Sequence, residues 1–302
     1  MDTSSRRGVM GAALAMFLVG TLTAVSGAIS AYPLLGGQAV RYAVAAAALW
    51  VVVRRSRLAP VRVRAREWAQ LAVLAATGLA LFNVCVVGAT RETSAAAVGT
   101  VIATVPVVLA VAAPMLRGGR PARTVLTGAV VVTGGAALSA GLGGGSVRGL
   151  LFALGALAGE VCFSLLAVPL LPRLGPLRVS AYTATLATPM LLVAGIAVDG
   201  ADVLRVPTAA EAAGLGYLAL IVTTVAFVLW YDALGRIGAD RAGLFAGIVP
   251  VSAVLTAALL GQGAPTAAEA AGAVLVTAGV LLGLSPGRRT LGAALEEEGV
   301  RV

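Results

Sequence analysis

SAAAVGTVIATVPVVLAVAAPMLRGGRPARTVLTGAVVVTGGAAL, Ser94 to Leu138, aligns without a gap on GADRAGLFAGIVPVSAVLTAALLGQGAPTAAEAAGAVLVTAGVLL, Gly238 to Leu282, when the chain is shifted by 144 residues. About sixteen of the forty-five positions are identical, among them Gly99 with Gly243, Pro106 with Pro250, Pro121 with Pro265, Gly128 with Gly272 and Gly135 with Gly279. A composition rich in Ala, Val and Gly supplies some identities by chance, but it does not supply prolines repeated in one frame. Near a shift of 141, Arg7-Gly8 also meets Arg148-Gly149. The chain reads as two copies of one unit.

What each copy is follows from composition. Of 302 residues 59% are hydrophobic and 12% charged, with a mean hydropathy of +0.98. That is more apolar side chain than a soluble core can bury. A membrane-spanning helix needs about 20 mainly apolar residues, and the apolar runs place spans near 8–28, 33–53, 68–90, 93–116, 124–142, 149–171, 177–198, 212–234, 242–262 and 268–285. The first run is too long for the apolar part of a signal peptide, about 7 to 15 residues, and reads as a retained helix. Five spans per copy is an odd number, so the second copy enters the membrane from the opposite side. The expected fold is an all-α integral membrane protein of ten transmembrane helices arranged as two inverted five-helix repeats, 1–142 and 143–285, with a tail at 286–302. Inverted repeats of this kind are typical of secondary transporters, because each copy can adopt the other's conformation and so exchange the side to which a cavity opens. GLGGGS, Gly141 to Ser146, joins the copies and lacks the GK[ST] ending of a phosphate loop.

Orientation follows from the arginines, which collect on cytoplasmic loops. With the N-terminus inside, 18 of the 22 arginines fall on inner segments, Arg91, Arg148 and Arg205 fall outside, and Arg41 lies within the second span. Both termini are then cytoplasmic. The formal charge of +9 mostly reflects this bias; the arginines are scattered over short loops and make no nucleic-acid surface. The cluster RRSRLAPVRVRAR, Arg54 to Arg66, is placed to meet anionic lipid heads. With no His, no Lys and only Cys85 and Cys162, the usual metal sites, His-based triads and Schiff-base chemistry are missing. No metal or other cofactor and no catalytic group is expected, and the chain does not read as an enzyme.

An ionisable side chain at the bilayer centre costs roughly 2.5 to 3.5 kcal/mol on insertion scales, so it turns toward a partner or a watery cavity. Arg41 stands in span 2 with Gln38 on the same helical face and Gly37 beside that; it is either a clamp for an anion or carboxylate, or an arginine satisfying carbonyls or reaching for the interface. Glu160 stands near the centre of span 6 with Phe163 and Ser164 on its face. Hydrocarbon favours its neutral form, which suits proton coupling, and the alternative is a carboxyl bonded to a neighbouring hydroxyl as packing. Span 8 puts Thr223, Phe227, Trp230 and Tyr231 on one side, with Phe227 matched by Asn83 of span 3; they are either a wall for an amphipathic substrate or interfacial anchors. Tyr182 and Thr183 of span 7 are further pocket candidates. Pro106 and Pro250 break the helical bonds of spans 4 and 9 at matching points and are candidate hinges. The pairs Gly135 with Ser139 and Gly279 with Gly283 permit close helix approach.

The Arg41-Tyr42 pair in span 2, TVPVVLAVAAPML and GIVPVSAVLTAALLGQ of spans 4 and 9, and the Gly-rich LTGAVVVTGGAAL and AAGAVLVTAGVLLG of spans 5 and 10 resemble the drug/metabolite transporter superfamily, specifically its EamA-type ten-span members. The resemblance covers nearly the whole chain. It implies secondary transport, often export, of small metabolites across a bacterial plasma membrane, with spans 5 and 10 peripheral and the others around a central cavity. The family commonly has Gly-Glu after span 9 where this chain has Gly261-Gln262-Gly263, so that acidic position is not carried over. The expected function is export of amino-acid-like or amphipathic compounds by alternating access, with protons as a candidate coupling ion and a homodimer left open; the alternatives are a non-transporting sensor or scaffold, and an intramembrane enzyme. One consequence is directly measurable: a tag fused after Val302 should be inaccessible to an impermeant label added to intact cells.

Overall fold

The computed structural model of the chain describes residues 3–22, 25, 28–140, 146–261 and 266–285, and among these the backbone is helical, with turns and no strand. The helical rods are α1 (Thr3–Gly20), α2 (Leu34–Arg55), α3 (Ala65–Glu92), α4 (Ala95–Ile102 and Val105–Leu116), α5 (Arg123–Ala140), α6 (Val147–Leu165), α7 (Leu171–Asp199), α8 (Ala209–Ile237), α9 (Ala239–Leu259) and α10 (Ala267–Leu284). The linker at 141–145, Gln262 and Gly263, Pro265 and the tail from Pro286 lie outside the described residues.

Among the described residues seven helical stretches are long and apolar enough to cross a bilayer: Leu34–Arg55, Ala65–Glu92, Ala97–Leu116, Val147–Val203, Ala209–Ile237, Ala239–Leu259 and Ala267–Leu284. The difference from ten has physical reasons. Val147–Val203 runs for 57 residues, about twice what one crossing needs, and joins α6 to α7 through a 3-10 turn and Gly175, whose φ of 75° and ψ of 161° turn the chain where an L side chain would be strained. Arg123–Ser139 is apolar but shorter than a full crossing, and α1 spends its first turn on Ser4, Ser5, Arg6 and Arg7.

Local sequence sets the ends. Thr208 and Glu211 open α8, and Thr266 and Glu269 open α10, with reciprocal capping boxes, the S/T-x-x-E pattern that satisfies the first free amides of a helix. Ser94 and Ser146 cap α4 and α6 by accepting from Ala97 and Gly149. Two of the starting acids reach further: Glu67 of α3 pairs with Arg173, which also donates to the Arg62 carbonyl, and Glu211 of α8 pairs with Arg205, which also donates to the Ala31 carbonyl. Each pairing fastens one end of the bundle. The shift of 144 carries Glu67 onto Glu211.

Helices meet in matched sets. α1 packs on α8 and α6 on α3; α1 on α9 and α6 on α4; α2 on α8 and α7 on α3. α2 also runs along α7, and α5 along α10. The α5–α10 seam is a close, reciprocal backbone approach. A Cβ at Gly128 would stand 2.6 Å from the Gly279 carbonyl, and one at Gly135 would stand 2.7 Å from the Gly272 carbonyl. The reverse contacts also hold: Gly279 would meet the Gly128 carbonyl at 2.8 Å and Gly272 the Gly135 carbonyl at 2.5 Å. In lipid, where apolar burial drives little helix association, such contact is the main attraction available.

Gly135→Leu should therefore destabilise the protein by about 1 to 3 kcal/mol through overpacking. Gly134→Leu should be close to neutral, because no atom lies within 4 Å of its Cβ position. Thermal unfolding of the two variants in detergent separates them.

Candidate functional site

Arg41 is buried in the middle of α2, and its guanidinium is held from two sides. Nη1 donates to Gln38 Oε1 at 3.1 Å, one helical turn back, and Nε donates to Thr223 Oγ1 of α8 at 2.6 Å. Its carbon lies 5.4 Å from the centre of the Tyr42 ring. The ion pairs among the described residues are Arg117–Asp240, Arg148–Glu92, Arg173–Glu67, Arg205–Glu211 and Arg236–Asp232; none includes Arg41. Two of its five N–H groups have protein acceptors. The remaining N–H groups of the fork match the bidentate geometry of a carboxylate.

Thr223 reaches Arg41 from a wide helical turn. Leu218–Val225 of α8 is π-helical, and so is Ala76–Leu81 of α3, which the shift of 144 carries onto 220–225. Such insertions recur at functional sites because they rotate the following side chains out of α-helical register. Just after the α3 bulge, Asn83 Nδ2 donates to the Leu79 carbonyl at 2.8 Å and to the Tyr42 hydroxyl at 3.4 Å. Gln38, Arg41, Tyr42, Asn83 and Thr223 thus form one polar group linking α2, α3 and α8.

Beneath it lies an aromatic cluster. Phe227 stands 6.2 Å from Tyr42 and 4.8 Å from Phe163 between ring centres, and Tyr231 lies 5.0 Å from Phe163. Trp230 and Tyr231 are 2% and 0% exposed, so they are interior side chains and not headgroup anchors. Trp230 Nε1 donates to Ser164 Oγ at 3.2 Å, which fixes α8 on α6. The Tyr231 hydroxyl is buried without a hydrogen-bond partner among the described residues. Tyr182 is placed apart from this group, edge-on to Trp50 and Trp68 at 5.0 Å each.

Glu160 is half-buried, one turn before Phe163 on α6. Nine positions separate it from Leu151, so at 100° per residue it faces away from that side chain, which is 64% exposed on the outer face. Its carboxyl has no hydrogen bond or ion pair among the described residues, and it is not paired with Arg41.

Pro106 and Pro250 do not kink continuous helices. α4 breaks at Ala103 and Thr104, and Pro106 opens the next helix; α9 tightens into a 3-10 turn at Leu244–Gly247, and Pro250 follows in the first turn of Ile248–Leu259. The sequence signalled both breaks through the paired prolines. It carried no signal for the π-helices, since a one-residue widening leaves an apolar run apolar.

Thr223→Val keeps the shape of the side chain and removes the acceptor of Arg41 Nε. Leaving that buried donor unsatisfied should cost about 1 to 3 kcal/mol, and Thr223→Ser should recover most of it, read as melting temperature in detergent.

Comparison with known proteins identifies the family. The model of the EamA-like transporter family matches residues 6–141 and again residues 147–285. An uncharacterized transporter of Bacillus subtilis, YetK, is 27% identical over 197 residues, covering 63% of this chain and 60% of that protein, so the match spans less than two thirds of the relative's length. A probable terminal-alkyne amino-acid exporter of Streptantibioticus cattleyicolor is 31% identical over 242 residues, covering 76% of this chain and 77% of its own. A solved crystal structure shares the fold with a TM-score of 0.76 at 19% identity, over 94% of this chain and 98% of the other. Apolar helices long enough to cross a bilayer, a family match over both halves of the sequence and transporter relatives together make this a multi-pass membrane transporter: the chain belongs to the EamA-like transporter family of the drug/metabolite transporter superfamily.

Proposed function

We propose that the protein is a secondary transporter that exports small amino-acid-like or amphipathic compounds by alternating access across the plasma membrane, with Arg41 as the carboxylate clamp. The observation that carries this reading is a buried guanidinium with no acidic partner among the described residues, oriented by Gln38 and Thr223 above a wall of Tyr42, Phe227 and Phe163. A buried charge of this kind is costly unless its partner arrives with the substrate. The wall accepts the apolar part of an amphipathic molecule. The name of the Streptantibioticus cattleyicolor relative, an amino-acid exporter, supports the same class.

The membrane arrangement belongs to the same proposal: ten spans in two inverted repeats, 1–142 and 143–285, with both termini cytoplasmic. It draws support from the doubled family match, from the matched helix contacts and from the α5–α10 seam, where the mate of each contact is also present. Pro106 and Pro250, each beside a break in its helix, act as hinges in this scheme. Glu160, unpaired among the described residues and turned away from the exposed face of α6, serves as the proton-coupling group. Trp230 and Tyr231 hold the inner wall, and Tyr182 is a rim residue of the pathway. A homodimer is compatible with this scheme and not needed by it.

Counterflow in proteoliposomes against a metabolite library, with and without a pH gradient, tests the reading. Carboxylate-bearing substrates should exchange, and Arg41→Gln should lower their apparent affinity about tenfold or more, the loss of one charge-assisted contact. Glu160→Gln should keep binding and exchange but lose accumulation driven by a pH gradient. Uphill transport at the wild-type level in that variant would move coupling away from Glu160. Absence of flux for every compound would favour a sensor or scaffold.

A further inference from the structure

The packing of α4 on α9 differs between its two ends. At the arginine-rich end Val105–Leu116 lies against Ala239–Gly243 and the turn Leu244–Gly247. Gly243 is seated there on Leu109, whose side chain would stand 2.9 Å from a Cβ. At the other end Ala95–Ile102 leans on α5 and α6, while Ile248–Leu259 leans on α1, α5 and α10. Among the described residues these two segments make at most isolated contacts with each other. The helices meet at one end and part at the other. Their neighbours follow: α7 packs extensively on Ala226–Ile237, the arginine-end half of α8, whereas α2 only touches Phe82–Glu92, the opposite half of α3.

The end that meets carries an ion pair that the other end lacks. Arg117 Nη2, just past the last turn of α4, lies 3.3 Å from Asp240 Oδ1 in the first turn of α9. Gly238 makes the place for that carboxylate: its φ is 81°, and a Cβ on it would stand 2.7 Å from Asp240 Oδ1. The shift of 144 carries Arg117 onto Gly261 and Asp240 onto Ala96, so both charges are absent from the matching positions. The four other ion pairs of the described residues do not join α4 to α9.

We infer that Arg117 and Asp240 form a one-sided electrostatic latch, which holds the arginine-rich gate closed and makes the empty transporter rest with its site open toward the opposite face. Because no other ion pair among the described residues joins α4 to α9, this pair biases the two access states toward the one in which the arginine-rich gate is closed. Arg117 and Gly238 also line a cavity of about 500 Å³ at the arginine-rich end, with Tyr231 in its wall. Releasing the latch would join this cavity to the aromatic cluster, since Tyr231 belongs to both. The latch rests on the alternating-access reading but not on the carboxylate reading of Arg41, and its test needs no substrate, so the two can fail separately.

The test is the accessibility of a thiol beneath the gate. Leu109→Cys, in a chain with Cys85 and Cys162 replaced by Ala, puts a thiol under Gly243 that reacts with a soluble maleimide in detergent only when α4 and α9 separate. A half-exposed ion pair shifts such an equilibrium by about two- to fivefold, so Asp240→Asn should raise the labelling rate by that factor at low salt. Raising the salt on the intact pair should do the same, because screening weakens exposed charge pairs. The double exchange Arg117→Asp with Asp240→Arg should bring the rate back down. A rate that moves neither with Asp240→Asn nor with salt overturns the latch, as does a monodisperse double exchange that stays fast. If Asp240→Asn fails to fold, the salt titration of the intact pair decides alone.

Discussion

Hydrocarbon offers no partner to an amide or a carbonyl, so every peptide group inside the membrane must be satisfied by the protein. In this chain the constraint makes nearly the whole described backbone helical, and it gives meaning to the departures. The π-helices at Ala76–Leu81 and Leu218–Val225, the break at Ala103 and Thr104, and the 3-10 turn at Leu244–Gly247 all lie in the interior of spans. They occur on α3, α8, α4 and α9, as two matched sets, and the pair on α3 and α8 borders the polar group around Arg41. Irregular backbone at such depth persists where protein or water takes over the lost partners. It is concentrated at the middle of the bundle, around the polar group of Arg41.

Much of this was legible in the residues. The spacing of Gln38 and Arg41 puts them on one helical face, and the structure joins them at 3.1 Å; the match of Asn83 with Phe227 places one on each flank of Tyr42. Other features were hidden for definite reasons. Thr223 becomes the partner of Arg41 through a π-helix, and hydrogen-bond register does not alter an apolar pattern. Tyr182 follows α7 toward Trp50 and Trp68, since the long helix after Gly175 carries side chains past the polar group as well as into it. Trp230 sits near a span end in sequence, yet it is buried and bonded to Ser164 of α6, and cover is a property of neighbours that no local pattern reports.

Charge does different work at different depths. Near the ends of the bundle Glu67 and Glu211 are each satisfied twice, by a capping role and by an arginine that also reaches a neighbouring loop. Such pairs are structural fasteners, and their arginines are committed. Arg41 differs in that both its protein partners are neutral, which leaves its charge uncompensated within the described residues. A fastener gains from a fixed partner, whereas a binding group needs one that can leave.

The glycine seam between α5 and α10 also bears on assembly. Gly128 meets Gly279 while Gly135 meets Gly272, so the seam brings together two versions of a single face, each serving as the other's complement. A contact of this isologous kind is closed: once the two versions have met, no copy of the face is left to recruit another. This self-complementary surface is thereby consumed inside one molecule. Any association between molecules must use a different surface, such as the lipid-facing sides of α1 and α6 that display Met10, Leu14, Leu151 and Leu154. The peripheral helices then act as a buckle that shuts the molecule upon itself and keeps it from growing into a chain.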